Sequence, residues 1–188
     1  LKCVMGLLPV RGGQITFDGH DLVKLPAERR APLGIGYVPQ GREIFPRLTV
    51  EENLRIGLTT RGRQARGALD AIYELFPVLK KMLRRRGGDL SGGQLQQLAI
   101  GRALVLEPKL LILDEPCEGI QPNVVHEIGE VIRRLNRERG ITVLLVEQKL
   151  PFARRVADRF CVMDKGRIVA DGAMDQLTDE LVRQHLAV

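Results

Sequence analysis

The sequence predicts an α/β protein in which a parallel sheet is combined with an α-helical subdomain. Residues 110–113 form a wholly apolar run, and such strands are typical of parallel sheets buried on both faces. An amphipathic helix over residues 124–139 and a second apolar strand over residues 141–146 follow this run. A strand, a helix and a strand in this order form a right-handed parallel unit. Helical patterns in residues 42–102 indicate the subdomain, inserted in one domain that spans residues 1–188.

Length and composition indicate an ordinary globular protein. The 188 residues are 44% hydrophobic and 28% charged, and the longest apolar runs are far too short to span a bilayer. Aromatic residues make up 4% and Trp is absent, which argues against a nucleic-acid surface that stacks bases. The net charge of +6 suits phosphate, anionic lipid or an acidic partner, but solvated arginines on helix faces also explain it. The scattered cysteines Cys3, Cys117 and Cys161 lack metal-binding spacing and indicate reduced thiols.

Turn residues divide the N-terminal part into short elements. Residues 1–8 are apolar and end at Pro9, so we expect the tail of a helix there. Residues 14–17 predict a short strand. Residues 35–38 predict another strand, which leads directly into Gln40.

Three helical segments are predicted ahead of the apolar run. Thr49 and Glu52 form a capping box at the start of the first. Residues 68–83 have helical spacing that is interrupted near Pro77. Ser91 opens the third helix.

The C-terminal part predicts a helix stop, a hairpin and a last helix. Gly140 ends the amphipathic helix in the position where a left-handed residue is favoured. Residues 160–163 and 168–170 predict the two strands of the hairpin, and a C-terminal helix follows Ala173.

A glycine-rich turn, Leu90-Ser91-Gly92-Gly93-Gln94, stands at the start of the third predicted helix. The unpaired N–H groups of a first helical turn bind anions, with help from the positive end of the helix dipole. Glycines allow a phosphate to approach the backbone closely, and the Ser hydroxyl adds a donor. A simple Ser N-cap before a flexible turn is the alternative. Because an acidic strand follows downstream, we interpret this turn as a phosphate site.

Two carboxylates, Asp114 and Glu115, follow the apolar run of residues 110–113. Ligands of open α/β sheets lie outside the carboxyl ends of the strands. An Asp at this place can hold Mg²⁺, and the next carboxylate can polarise an attacking water. The alternative is an acidic turn without a function, which four preceding apolar residues disfavour.

Two glutamines also follow predicted strands. Gln40 comes after residues 35–38, and its carbonyl oxygen can reach Mg²⁺ or the attacking water. Gln148 follows residues 141–146 and lies at the same edge of the predicted sheet. Either glutamine considered alone would be interpreted as an ordinary loop residue.

Together these motifs resemble the nucleotide-binding subunits of ABC transporters, and the resemblance covers essentially all of the chain. Residues 90–94 are similar to the highly specific family signature, residues 110–115 resemble Walker B, and Gln40 falls at the Q-loop. Four segments resemble the subunits that serve branched-chain amino acid and urea importers. These are residues 41–54, 72–77, 85–89 and 118–122, of which the last three look closest to the urea branch.

The resemblance implies a P-loop NTPase-like ABC ATPase core that hydrolyses ATP with Mg²⁺. Glu115 would align the attacking water as a catalytic residue, and Asp114 and Gln40 would hold Mg²⁺. Gln148 would act as a second catalytic residue that senses the γ-phosphate. The residues implied in ATP binding are Gln40, Leu90, Ser91, Gly92, Gly93 and Gln94.

The resemblance also implies partners. Two nucleotide-binding subunits, identical or paralogous, would face head to tail, so that ATP on one meets the signature of the other. The helical subdomain would dock on transmembrane permease subunits at the cytoplasmic face of the inner membrane. A periplasmic or extracellular binding protein would deliver the cargo, and no nucleic acid is expected. The expected cargo is urea or a short-chain amide, with branched-chain amino acids next.

The chain departs from the family pattern at several positions. Walker A, G-x-x-x-x-G-K-[ST], is absent from the 188 residues and should end immediately before Leu1. We therefore expect an N-terminally incomplete sequence and little hydrolysis by residues 1–188 alone. Gln148 stands where most family members have His and offers no titratable proton. Cys117 stands where Thr or Ser is commoner, and Gln121 replaces the usual D-loop Asp.

Two other interpretations remain open at this point. A soluble ABC ATPase acting on nucleic acid or the ribosome would explain the basic charge, but the usual coiled-coil or tandem-domain insertions are not seen. A non-catalytic partner that supplies only the signature half of a composite site would explain the missing Walker A.

Overall fold

The chain divides into two compact units, Leu1–Glu147 and Gln148–Val188. Its computed structural model describes residues 1–58 and 67–186 of the sequence. Within these ranges, none of the helices combines the length and the apolar character needed to cross a membrane. The single domain over residues 1–188 stays a prediction.

The first unit begins with turns where the sequence predicted the tail of a helix. Met5 N donates to Leu1 O over 3.0 Å, but Gly6 then reverses the chain with a φ of 72°. Leu7 N donates to Lys2 O at 2.9 Å and Gly6 N donates to Cys3 O at 3.1 Å, which is the pattern of a helix C-terminus with a left-handed glycine. The predicted tail of a helix is therefore confirmed, although it ends at Gly6 and not at Pro9. A small antiparallel hairpin follows, formed by β1 (Thr16–Phe17) and β2 (His20–Asp21).

A buried arginine holds these turns against the next loop. Arg30 is 3% exposed, and its guanidinium donates to the carbonyl oxygens of Cys3 at 2.7 Å, Leu22 at 2.7 Å and Leu25 at 2.9 Å, and also to Val4 O. A planar guanidinium with five N–H donors can serve four carbonyls at once, whereas a lysine ammonium has three donors. Arg30 therefore fixes the N-terminal turns to the segment around residue 22.

A three-stranded parallel sheet forms the centre of the first unit. Its strands are β3 (Ile35–Val38), β4 (Leu110–Asp114) and β5 (Thr142–Val146), and their order is β3-β4-β5. Val38 pairs with Leu113, and Asp114 pairs with Val146. The carboxyl ends of the three strands therefore lie at one edge of the sheet.

Burial differs between the central and the outer strand. Leu111, Ile112 and Leu113 of β4 are fully buried, which confirms the strand predicted from the apolar run. On β5, Leu144 and Val146 are 40% and 39% exposed. The difference follows from position, because β4 has a neighbour on each side and β5 pairs with β4 alone among the described strands.

Among the described residues, four α-helices lie between β3 and β4 along the chain. They are α1 (Val50–Leu58), α2 (Ala68–Leu75), α3 (Pro77–Lys80) and α4 (Gly92–Leu104). The predicted capping box at Thr49, the interruption at Pro77 and the start at Ser91 are all confirmed. The boundaries of the helical subdomain, about residues 42–102, stay a prediction.

A glycine inside α4 sets how closely these helices pack. A methyl group on Gly101 would lie 2.9 Å from Ile72 Cγ2 and 3.2 Å from Leu54 Cδ2. Glycine in a helix interior costs about 1 kcal/mol relative to Ala, so the close approach of α1 and α2 explains its presence.

The amphipathic helix predicted after β4 is α5 (Pro122–Arg139). Its buried face contains Ile128, Ile132 and Leu135. Gly140 ends it with a left-handed φ of 65°, as the sequence predicted.

The second unit contains a hairpin between two helices. In chain order the elements are α6 (Leu150–Val156), β6 (Arg159–Asp164), β7 (Arg167–Ala173) and α7 (Asp179–Leu186). The predicted hairpin and C-terminal helix are confirmed. The sequence analysis missed α6, which is only seven residues long and has Pro at its start. Arg154 of α6 pairs with Asp179 of α7 at 2.7 Å.

A buried asparagine organises the loop that leads from the sheet into α1. Asn53 is 0% exposed. Its Oδ1 accepts from Phe45 N at 2.9 Å, and its Nδ2 donates to the carbonyls of Phe45 at 3.0 Å, Leu48 at 3.2 Å and Thr49 at 2.9 Å. One side chain thus ties the loop of residues 45–49 to α1 and supplies the acceptor for Phe45 N.

We expect Asn53→Ala to lower the free energy of unfolding by about 1–3 kcal/mol, because it removes the acceptor of Phe45 N and the hydrogen bonds that tie a buried side chain to residues 45–49. Urea unfolding measures the change. Arg55→Ala on the same helix is the control, since it removes only an exposed ion pair with Glu51 and should change stability little. Equal stability of Asn53→Ala and the wild type would contradict the role given to Asn53.

Candidate functional site

The edge of the sheet at the carboxyl ends of β3 and β4 brings together three of the predicted residues. Asp114 ends β4, Glu115 follows it, and Gln40 lies two residues beyond β3. Gln40 Nε2 donates to Glu115 Oε2 at 3.3 Å and to Glu118 Oε2 at 3.2 Å. The structure thus joins Gln40 and Glu115 and adds Glu118, which the sequence analysis did not single out.

Asp114 is half-buried and faces a tyrosine of the neighbouring strand. Tyr37 Oη donates to Asp114 Oδ2 in a long hydrogen bond of 3.5 Å. Burial first, and the charge of Asp114 second, raise the pKa of Tyr37 above its usual value of 10.0. The phenol therefore stays protonated at neutral pH and acts as a donor toward this carboxylate.

Glu115 has an unusual backbone conformation for its residue type. Its φ is 47°, in the left-handed region, and its N–H donates to Val146 O of β5 at 2.9 Å. This region costs roughly 1–2 kcal/mol for a residue with a Cβ. Strain of this kind concentrates at functional sites, where the surrounding structure imposes it. The backbone position of Glu115 is therefore imposed by the sheet and not by local preference.

The start of α4 is a capped helix terminus. Ser91 Oγ accepts from Gln94 N at 3.4 Å, and Gln94 Oε1 accepts from Ser91 N at 3.0 Å, which together form a capping box. The alternative of a Ser N-cap thus describes the local geometry. It leaves the anion site possible, because an accepting hydroxyl keeps its own proton to donate and the N–H groups of Gly92 and Gly93 have no acceptor within the helix.

Both glycines of this terminus are required by close packing. A methyl group on Gly92 would lie 3.2 Å from Gly119 O, and one on Gly93 would lie 2.9 Å from Val124 Cγ1. The start of α4 is therefore packed against the segment that leads from Glu118 into α5. Leu90 is 8% exposed, so its side chain belongs to the core and only its backbone is available to a ligand.

The remaining predicted residue, Gln148, is exposed and is the first residue of the second unit. It lies two residues after β5 along the chain. Its catalytic assignment stays a prediction.

The acidic groups at the sheet edge suit a metal ion that takes most of its ligands from water and phosphate and not from the protein. In the described ranges, there is no group of three or more His, Cys, Asp and Glu that could hold an ion. Mg²⁺ commonly uses one or two protein oxygens and completes its shell with waters and phosphate oxygens. Asp114 and Gln40 offer such oxygens and fit Mg²⁺ in this role.

Sequence reasoning missed the contacts made by Arg42. This residue donates to Gln96 on α4 and to the carbonyl of Glu118. Its place two residues after Gln40 was the only available signal, since nothing in the sequence shows where its side chain points.

Comparison with known proteins supports the interpretation of this edge. A family model described as ABC transporter matches residues 1–118, which include Gln40, the glycine-rich turn, Asp114 and Glu115. This chain belongs to the ABC transporter family. It is an ATP-binding subunit and an ABC-type ATPase, since the family binds and hydrolyses ATP.

The relatives of this ABC ATPase cover nearly all of it. It is 44% identical over 185 residues to the high-affinity branched-chain amino acid transport ATP-binding protein BraG of Pseudomonas aeruginosa, covering 97% of this chain and 79% of that one. It is 36% identical over 180 residues to the probable branched-chain amino acid transport ATP-binding protein LivF of Archaeoglobus fulgidus, covering 95% and 76%.

A solved structure confirms the predicted α/β fold. It is the ADP conformation of an ATP-binding cassette from an ABC transporter, which matches with a TM-score of 0.82 at 28% identity. The match covers 98% of this chain and 80% of that one.

We expect Gly93→Ala to lower the free energy of unfolding by about 1–3 kcal/mol, because β-branched Val124 cannot move away easily. Urea unfolding of Gly93→Ala, Val124→Ala and the double variant measures this. The double variant should lose less than the sum of the two single losses. Gly12→Ala is the control, since a methyl group there would meet nothing within 4 Å. Full additivity would contradict the contact.

Proposed function

We propose that this chain is the ATP-hydrolysing subunit of an importer for branched-chain amino acids. The observation that carries the proposal is the 44% identity, over 97% of the chain, to a protein named for branched-chain amino acid transport. The second relative, at 36% identity, is named for the same transport. Because one fold serves many cargoes, this assignment needs a direct test.

Urea or a short-chain amide is the second candidate cargo. Residues 72–77, 85–89 and 118–122 resemble the subunits of urea importers more than those of amino acid importers. These segments belong to the helical part and to the loop after β4. They favour urea only through their resemblance to the subunits of urea importers.

The arrangement of the sheet edge supports specific roles in hydrolysis. Glu115 accepts the proton of the attacking water, because its carboxylate lies at the carboxyl end of β4 beside Gln40. Asp114 and Gln40 would hold Mg²⁺, which neutralises charge on the phosphates when it is bound. Ser91, Gly92 and Gly93 would donate hydrogen bonds to the terminal phosphate.

The proposed assembly follows the family arrangement. The chain pairs head to tail with a second nucleotide-binding subunit, and the signature of one subunit meets ATP on the other. The pair binds transmembrane permease subunits at the cytoplasmic face of the inner membrane, and a binding protein delivers the cargo from outside. This makes the chain a peripheral component without a nucleic-acid partner.

Uptake measurements in the natural host test the cargo. Deletion of the gene should abolish high-affinity uptake of labelled leucine, and complementation with the wild-type gene should restore it. Loss of urea or acetamide uptake with normal leucine uptake would assign the second candidate. Normal uptake of all three compounds would reject the proposal.

In the assembled transporter, we expect Glu115→Gln to lower kcat by roughly 10²–10⁴-fold while ATP binding is retained, because the amide cannot accept a proton. Steady-state ATPase assays and ATP-binding measurements check the two parts. Glu130→Gln, an exposed Glu on α5, is the control and should hydrolyse ATP normally. An unchanged kcat for Glu115→Gln would assign the proton acceptor elsewhere.

We expect Gln148→Ala to lose much of kcat, because the amide would no longer donate to the γ-phosphate. The wild-type amide should not itself impose a transition between about pH 6 and 7, where a free imidazole titrates. Gln148→His should add a pH dependence to the ATPase rate in that interval. Full activity of Gln148→Ala would make Gln148 an ordinary loop residue.

A further inference from the structure

The loop after β3 contains three consecutive residues with left-handed backbones. The φ angles are 82° at Gly41, 70° at Arg42 and 45° at Glu43. Glycine adopts this region freely, but the other two residues are strained there. The turn therefore persists only because tertiary contacts hold it, and it begins one residue after Gln40.

The side chain of Arg42 supplies two of these contacts. Its Nε donates to Gln96 Oε1 at 3.0 Å, and its Nη2 donates to Glu118 O at 2.7 Å. Gln96 belongs to α4, and Glu118 belongs to the loop that follows β4. One guanidinium thus ties the turn both to the helix that carries the signature and to the loop that carries Glu115.

The buried position of Gln96 is energetically unfavourable for one of its polar atoms. It is 2% exposed, and its Nε2 has no hydrogen-bond partner among the described residues. An unsatisfied buried donor is unfavourable, so the residue needs another reason to be polar. Because Arg42 has only donors to offer, the acceptor Oε1 of Gln96 provides that reason.

A second arginine holds the backbone of the same turn. Arg102 Nη2 donates to Glu43 O at 2.8 Å and to Arg42 O at 3.4 Å. Its guanidinium carbon lies 5.2 Å from the centre of the Phe45 ring, within the range of a cation–π contact. Arg102 and Gln96 are both on α4, so two side chains of this helix form hydrogen bonds with the turn.

We propose that Arg42 is a positioning residue that sets the place of Gln40, and through it of Glu115, relative to the start of α4. Gln40 bonds both Glu115 and Glu118, and Arg42 bonds the Glu118 carbonyl, so the two loops are joined in a closed set of contacts. The inference rests on the proposed role of Glu115 in hydrolysis. A displaced turn would misalign the carboxylate without removing any group that binds ATP.

Lysine cannot take over this role. The two acceptors of Arg42 lie on different elements, and its Nε and Nη2 reach them simultaneously in a fixed planar geometry. A single ammonium on a flexible chain lacks that geometry. Arg42→Lys therefore tests geometry at constant charge, and Arg42→Ala tests complete removal.

The experiment measures kcat, the KM for ATP and the thermal midpoint in the assembled transporter. We expect Arg42→Ala and Arg42→Lys to lower kcat by roughly 10–100-fold through misplacement of Glu115. The KM for ATP should change much less than kcat, and the thermal midpoint should fall only slightly, because Arg102 still holds the backbone of the turn. Arg134→Ala is the matched control, since it breaks an exposed pair with Glu138 at 2.7 Å on α5 and should leave all three quantities unchanged.

A double-variant comparison tests the route through α4. Gln96→Leu removes the acceptor of Arg42 at similar volume and should lower kcat less than Arg42→Ala does. Adding Gln96→Leu to Arg42→Ala should lower kcat no further, because the contact is already lost. Independent, multiplied losses would overturn the proposed route.

Two further outcomes would overturn the proposal. Normal kcat in Arg42→Ala would do so, as would a fall in thermal midpoint with a parallel rise in KM, which indicates a structural role alone. Glu115→Gln, measured beside these variants, separates the proposals. If it is inactive while Arg42→Ala is normal, only the positioning role is wrong. If Glu115→Gln keeps normal turnover, the proposed role of Glu115 fails and the positioning role fails with it.

Discussion

The parallel pairing of β3, β4 and β5 is the constraint on which the candidate site depends. Parallel strands in register end at the same edge, so residues that are far apart in the sequence arrive together as soon as the strands pair. Burial of the apolar β4 between its two neighbours provides the driving force for this pairing. The apolar core thus positions Gln40, Asp114 and Glu115, although these polar residues are not part of it.

Local signals predicted most of the fold and part of the site. The capping box at Thr49, the helix start at Ser91, the Pro77 interruption and the left-handed Gly140 depend on neighbouring residues, and each is found where expected. Gln40 and Glu115 were found because polar residues that follow apolar strands meet at a sheet edge. Strand direction alone would have left Gln40 as an ordinary loop residue, and the resemblance to the family was needed to select it.

Other features depend on contacts that only the folded chain creates. The hydrogen bonds from Arg42 to Gln96 and to Glu118 join separate elements. The left-handed backbone of Arg42 cannot be recognised in the sequence, because arginine does not favour this conformation. The helix tail in residues 1–8 ends earlier than Pro9 suggested, because Gly6 adopts a left-handed conformation. Helix α6 was missed because seven residues with Pro at the start show too little periodicity.

The left-handed backbone of Glu115 sets two requirements against each other at one position, the stability of the fold and the rate of ATP hydrolysis. A glycine would adopt the same φ without penalty and would relieve about 1 kcal/mol of strain, although it would leave no carboxylate at the sheet edge. Under the role proposed for Glu115, laboratory evolution that rewards heat resistance alone would enrich glycine here and yield stable proteins that do not hydrolyse ATP. Only a screen that also demands transport would keep the glutamate.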